Sequence, residues 1–246
     1  MIKFFRKIRQ NMLSQNKIGK YLIYAIGEIV LVVIGILIAL SINNWNEVKK
    51  IKLIEKNSYE NLLSSLRKDS LQLIIITDYQ TKNLNMQNRF IKTDASEIVK
   101  ANSSDSISKM LFDIYRGAYS FFPKHGTYNS IASNKGIDII SSEIIKSSLI
   151  DLYDYEYSRY EFIDKVLDDK YMNEFLPFLH KEIGFFVDSN FKYNNVSITQ
   201  FENNYSALQL ECQNLNPMTA NVYSLLNSIQ NNVNFLIKEI EKELNK

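Results

Sequence analysis

The stretch from Tyr21 to Trp45, YLIYAIGEIVLVVIGILIALSINNW, decides how the rest of the chain is read. It has one charged side chain, Glu28, and meets the length and apolarity a helix needs to cross a hydrocarbon layer of about 30 Å. The span is placed at residues 21–43. Tyr24 and Trp45 stand 21 positions apart, which at about 1.5 Å per residue separates them by about 31 Å. With Tyr21 they suit the two aromatic belts where amphipathic rings meet the headgroups. The competing reading is a cleavable signal peptide cut near Ala39-Leu40-Ser41, but the apolar run is too long and starts too late for one.

Charge sets the orientation. Lys3, Arg6, Lys7, Arg9, Lys17 and Lys20 precede Glu28 with no acid among them, whereas Lys49, Lys50, Lys52 and Lys56 follow the span. The positive-inside rule then predicts a cytoplasmic segment 1–20 and an extracytoplasmic, periplasmic domain 44–246, anchored in the inner membrane by an uncleaved signal-anchor helix. Phe4, Phe5, Ile8, Met12 and Leu13 among those basic residues fit either a short interfacial helix or a solvated basic tail.

Glu28 is the one residue of the span whose position costs free energy. A charge at the centre of a spanning helix is disfavoured by about 2.5 to 3.5 kcal/mol, and by less near its edge. At about 100° per residue, Gly35 and Ala39 fall within about 20° of Glu28, and they form a small-xxx-small pair that lets another helix approach closely. The expectation is that Gly35 and Ala39 seat a partner helix, from a second copy or another membrane protein. Glu28 would hydrogen-bond to it in a protonated or ion-paired state. The bland alternative is a snorkelling or simply protonated side chain.

The 246 residues are 46% hydrophobic, enough for a packed core, and 29 Lys and Arg nearly balance 27 Asp and Glu, so no nucleic-acid footprint is expected. Cys212 is the one cysteine, which excludes an internal disulfide, and 7 Gly with 3 Pro leave few breaks for helices. The predicted fold is all-α: an N-terminal transmembrane helix followed by an elongated antiparallel helical-bundle domain.

Beyond the span, Val48, Ile51, Ile54, Leu62, Leu66, Leu73 and Ile76 predict a stalk helix reaching about Phe90. Residues 92–105 read as a polar loop, and a helix from Ser106 to Phe121 is ended by Pro123. A short helix from Thr127 to Lys135 is closed by Gly136, and Ser141 or Ser142 caps the next. That long helix buries Leu149, Tyr153, Tyr160, Ile163, Leu167, Tyr171 and Phe175, and Pro177 should kink or end it. Residues 184–204 read as loop with short helical pieces. Asn216 is expected to cap a last helix with Pro217 at its first position, since Val222, Leu226, Ile229, Val233, Leu236 and Ile240 keep a coiled-coil-like heptad rhythm.

No chemistry with a required spacing is present. His125 and His180 lie 55 positions apart, outside any HExxH arrangement. The acids Asp154, Glu161, Asp164, Asp168 and Asp169 read as the solvated face of an amphipathic helix. The glycines outside the span are too dispersed for a phosphate-cradling loop. No catalytic, metal or cofactor-binding residue is assigned, and no cofactor is expected.

At MIKFFRKIRQ (1–10) and KYLIYAIGEIVLVVIGILIALSINNWNE (20–47), the chain resembles a family of Bacteroidetes single-span membrane proteins known as a domain of unknown function, DUF6090. A second match lies in TYNSIASNKGIDIISSEIIKSSLIDLY (127–153), similar to the family's pattern of a tyrosine-bearing helix, a glycine turn and a second helix. The resemblance implies a membrane-anchored helical protein without an established activity or catalytic residues. The expected function is a non-enzymatic module for protein interaction or sensing at the cell envelope, with the bilayer and a partner helix as its contacts. A small subunit of an ion-driven membrane complex using Glu28 is the alternative, and an envelope hydrolase using the region 125–180 is a further one.

Overall fold

The computed structural model describes residues 18–134 and 136–246. The basic segment discussed above therefore lies almost wholly outside the described residues. The chain is all-α, with no strand among the described residues, and it divides into two compact units, Met1–Glu55 and Lys56–Lys246. Helix α1, Ile18–Lys92, runs through both.

In the first unit α1 presents its apolar side chains outward. Ile23, Leu31, Val33, Leu37 and Ile42 are all exposed, and so are Val48 and Ile51, which the sequence placed on a packed stalk. In the second unit the same helix becomes a core element. Its inward positions are Leu62, Leu66, Asp69, Leu73, Ile76, Gln80, Asn83, Gln87 and Phe90, in alternating steps of four and three, and all are buried. The expected loop at 92–105 instead contains a short helix α2, Ala95–Ala101, whose Ile98 is buried. Helix α3, Ser104–Tyr115, is capped by the hydroxyl of Ser103 and passes into a 3-10 turn, Arg116–Ala118. Helix α4 is Gly126–Asn134, and Gly136 follows with φ 76°, a left-handed conformation that a side chain would disfavour.

Ser142, and not Ser141, caps α5 (Glu143–Ile150), its hydroxyl accepting from Ile145 N. The helical path then continues through α6 (Tyr157–Lys170) and α7 (Leu176–Phe178) by way of wide π-helical turns at Asp151–Glu156, Tyr171–Phe175 and Leu179–Ile183. The reason lies in the spacing of its large side chains. Leu167, Tyr171, Phe175, Leu179 and Ile183 are all buried and follow at steps of four. In a regular α-helix each such step rotates the side chain by about 40°, so the face would drift away from the core. A π turn takes up an extra residue and restores the phase. Pro177 accordingly does not end the run: the wide turn just before it relieves the clash between its ring and the preceding carbonyls. Gly184, at φ 69°, terminates it.

Residues 185–197 make a loop closed by a single antiparallel bridge between Val187 and Tyr193, and α8 is Ile198–Asn203. Helix α9, Tyr205–Leu244, starts well before Asn216. Its buried positions Tyr205, Leu208, Cys212, Leu215, Thr219, Val222, Leu226, Ile229, Val233, Leu236 and Ile240 hold one heptad phase straight through Pro217. Pro217 is tolerated because it and Gln213, whose carbonyl loses its partner, both face solvent. Asn216 is not a cap; its Nδ2 donates to Gln87 Oε1 at 3.2 Å.

Helices α1 and α9 pair antiparallel within the second unit. Arg67 meets Glu241 at 2.7 Å, Ser70 meets Asn234 at 3.2 Å, Gln87 meets Thr219 at 3.2 Å, and Tyr205 Oη donates to Phe90 O at 3.1 Å. As the number rises on one helix it falls on the other.

Candidate functional site

Three places concentrate groups whose burial or exposure costs free energy: the span, a polar stripe inside the second unit, and an acid-tyrosine cluster beside it.

The span carries an eighteen-residue window of mean hydropathy 2.8, of which none is buried inside the protein, and it is the one helix among the described residues long and apolar enough to cross a membrane. Glu28 is half-buried and shares a hollow on the helix surface with Ala25, Ile29 and Val32. A Cβ built on Gly35 would meet nothing within 4 Å, and Ala39 is exposed. Spacings of seven and four place Glu28, Gly35 and Ala39 on one side of α1. Tyr24 is half-buried, whereas Trp45 is exposed with the Lys49 ammonium 3.6 Å from the centre of its ring. The side chain of Tyr21 lies outside what the structure describes.

Within the second unit Gln80, Asn83, Gln87 and Thr219 have no exposed surface. Gln80 Nε2 donates to Gly117 O (2.9 Å), Asn83 Nδ2 to Gln80 Oε1 (3.1 Å) and Tyr171 Oη (2.9 Å), and Gln87 Nε2 to Asn83 Oδ1 (2.7 Å) and Thr219 Oγ1 (3.2 Å). Gly117 has to be glycine, because a Cβ there would overlap the Asn83 amide and lie 2.5 Å from Tyr171 Oη. A network so completely satisfied is a register device for three helices packing against one another, not a reaction site.

The third place surrounds Asp69, which is fully buried on α1. Its Oδ2 accepts from Tyr157 Oη (3.0 Å) and Lys124 N (3.3 Å), while Oδ1 has no hydrogen-bond partner. Burial raises its pKa, opposed by those hydrogen bonds and by the nearby Lys124 and His125 charges. Around it, Tyr128 stacks on Tyr153 at 4.4 Å and donates to Asp154 Oδ2 at 3.0 Å; burial together with that carboxylate pushes its phenol up to about 12. His125 lies edge-on to Tyr153 and Tyr157, and its Nε2 is 3.0 Å from Glu161 Oε1. The acids expected to form a solvated face are thus partly engaged: Asp154 by Tyr128, Glu161 by His125, and Asp164 by Ser120 and Tyr160. His180 is exposed and stacks on Phe186. Cys212 is buried among apolar side chains, which pushes its thiol up to about 12, far from a reactive thiolate. Among the described residues no three His, Cys, Asp or Glu side chains are placed to hold a metal ion.

Sequence reading singled out none of Asp69, Gln80, Asn83 and Gln87. The signal that would have found them is phase: carrying the heptad of Leu62, Leu66, Leu73 and Ile76 forward lands on all three amides.

Asp69 gives a pH prediction. Because its folded-state pKa lies above the unfolded one, the folded chain holds that proton more tightly, so this group's contribution to stability falls as pH rises from the ordinary carboxylate range through the raised value. Asp164 is raised as well, chiefly by burial, and adds a slope of the same sign. Asp69→Asn keeps an acceptor for Lys124 and Tyr157 while removing the titration. Urea midpoints measured between about pH 4 and pH 8 should therefore vary less in the variant than in the parent. An unchanged slope would assign it to other groups.

No curated protein and no solved structure matches the chain. The profile of a family of unknown function, DUF6090, matches residues 28–208, from the acid in the span to the first turns of α9, and the chain belongs to that family.

Proposed function

We propose that the protein is a single-pass, membrane-anchored helical module that serves protein interaction or sensing at the cell envelope without catalysing a reaction. The observation that carries the anchor is the uncovered apolar window of α1. Burying a Leu or Ile side chain gains about 1.5 to 3 kcal/mol, and here a whole helix of them is left for another apolar phase to cover. In this reading the six basic residues before Glu28 keep the N-terminus in the cytoplasm, and the second unit lies outside it. The face of Glu28, Gly35 and Ala39 seats a partner helix, with the carboxyl hydrogen-bonded to it.

Topology reporters test the arrangement. Alkaline phosphatase fused after Lys246 should be active, and a reporter that works only in the cytoplasm should be silent at the same position. The reverse pattern would place the domain in the cytoplasm and remove the envelope role.

A further inference from the structure

We infer that the outer face of α6, together with Phe122, is a docking surface for a cationic amphipathic segment of a partner protein. This deepens the interaction reading above by giving the partner's chemistry.

The observation is an apolar surface left uncovered by the fold. Phe122 and Phe162 are each 70% exposed and Val166 is 45% exposed, although the same unit buries Phe121, Tyr157, Tyr160 and Leu167 completely or nearly so. Phe162 and Val166 are one turn apart on α6, so they stand side by side on its outer surface. Phe122 flanks the neighbouring stripe of that helix, where it lines a groove of about 300 Å³ with Glu161, Asp164, Lys165 and Asp168 over a floor made by Tyr160. Exposed aromatics on both sides of a charged groove suit a contact surface better than a solvated one.

Charge complementarity selects the occupant. Three carboxylates line the groove against one ammonium, and among the described residues no ion pair joins Lys165 to any of them. Glu161 meets His125, and Asp164 is held by Ser120 and Tyr160. Burial and the like charge of Asp168 disfavour ionised Asp164, a cost that an incoming cation would relieve. A partner helix with lysines or arginines along one stripe and apolar side chains beside it satisfies both features. Its cations would enter the groove and contact the rim of Phe122, while its apolar stripe would cover Phe162 and Val166.

The test uses the full chain in a neutral detergent and a fluorescent helical peptide of leucine and lysine with segregated faces. Its twin carries glutamate in place of lysine. Anisotropy is read against protein-free micelles. The lysine peptide should bind and the glutamate twin should not. Phe122→Ser and Phe162→Ser should each weaken binding by about tenfold or more, as loss of a central aromatic anchor does. Asp168→Asn should weaken it less and reduce its dependence on salt, while Glu202→Gln on α8 should leave it unchanged. Because both phenylalanines are exposed, these variants should melt with the parent.

Equal binding of the two peptides, or affinities within about twofold in both serine variants, would overturn the proposal. So would self-association of the protein alone that Phe162→Ser abolishes, since the face would then belong to a second copy. None of these outcomes bears on the span, whose reading the topology reporters decide separately.

Discussion

Asn83→Leu is expected to lower the unfolding free energy of the second unit by about 3 to 5 kcal/mol. Asn83 is the centre of the buried network, giving its amide to Gln80 Oε1 and Tyr171 Oη and taking one from Gln87. Leucine has similar bulk but no polar atoms, so it strips partners from three groups in a region without exposed surface. Each buried group left unsatisfied costs about 1 to 3 kcal/mol. The cost is asymmetric, because the remaining partners sit on two other helical segments and cannot all re-pair. Urea denaturation followed by circular dichroism measures it; a loss below about 1 kcal/mol would mean that the network relaxes or admits water. Gln87 and Thr219 make the same point from the other side, as their contact ties α1 to α9 at one register.

The other large effect concerns the membrane. Replacing Val32 and Val33 together by arginine puts two charges near the middle of the apolar window. At about 2.5 to 3.5 kcal/mol per arginine on insertion scales, the combined penalty is about 5 to 7 kcal/mol. That shifts an insertion equilibrium by several powers of ten. The double variant should be extracted from membranes by alkaline carbonate, whereas the parent and a Val32→Leu/Val33→Leu control should stay in the pellet. If the arginine variant remains in the membrane with its topology intact, the span is held there by something other than its own partition free energy.

Patterns of apolar residues gave the fold away where the core is apolar, and misled where it is not. The heptad of α9 from Val222 to Ile240 was legible because every inward position is aliphatic. Its first three turns were not, because Asn216-Pro217 is a strong local start signal that only tertiary packing of Leu208, Cys212 and Leu215 overrides. On α1, Gln80, Asn83 and Gln87 occupy inward positions, so hydropathy reads a polar helix where the structure has a core. Val48 and Ile51 err the other way: they share a helical spacing with Leu62 and Leu66, yet in their own unit nothing covers them. The candidate site was legible only as far as Glu28, Gly35 and Ala39. Asp69 and the groove beside Phe122 arise from segments more than fifty or nearly forty residues apart, and no local spacing announces such a meeting.

The three π-helical turns between Asp151 and Ile183 carry a consequence for how this part of the chain can change length. A π turn is an α-helix with one residue more than it needs. Removing that residue returns the turn to regular geometry and rotates everything beyond it by about 100°. Single-residue insertions and deletions are therefore absorbed here as a twist of the helix and not as a break in it. The run works like a vernier: a change of one residue decides whether Phe162 or its neighbour faces outward, while the fold that displays it stays the same.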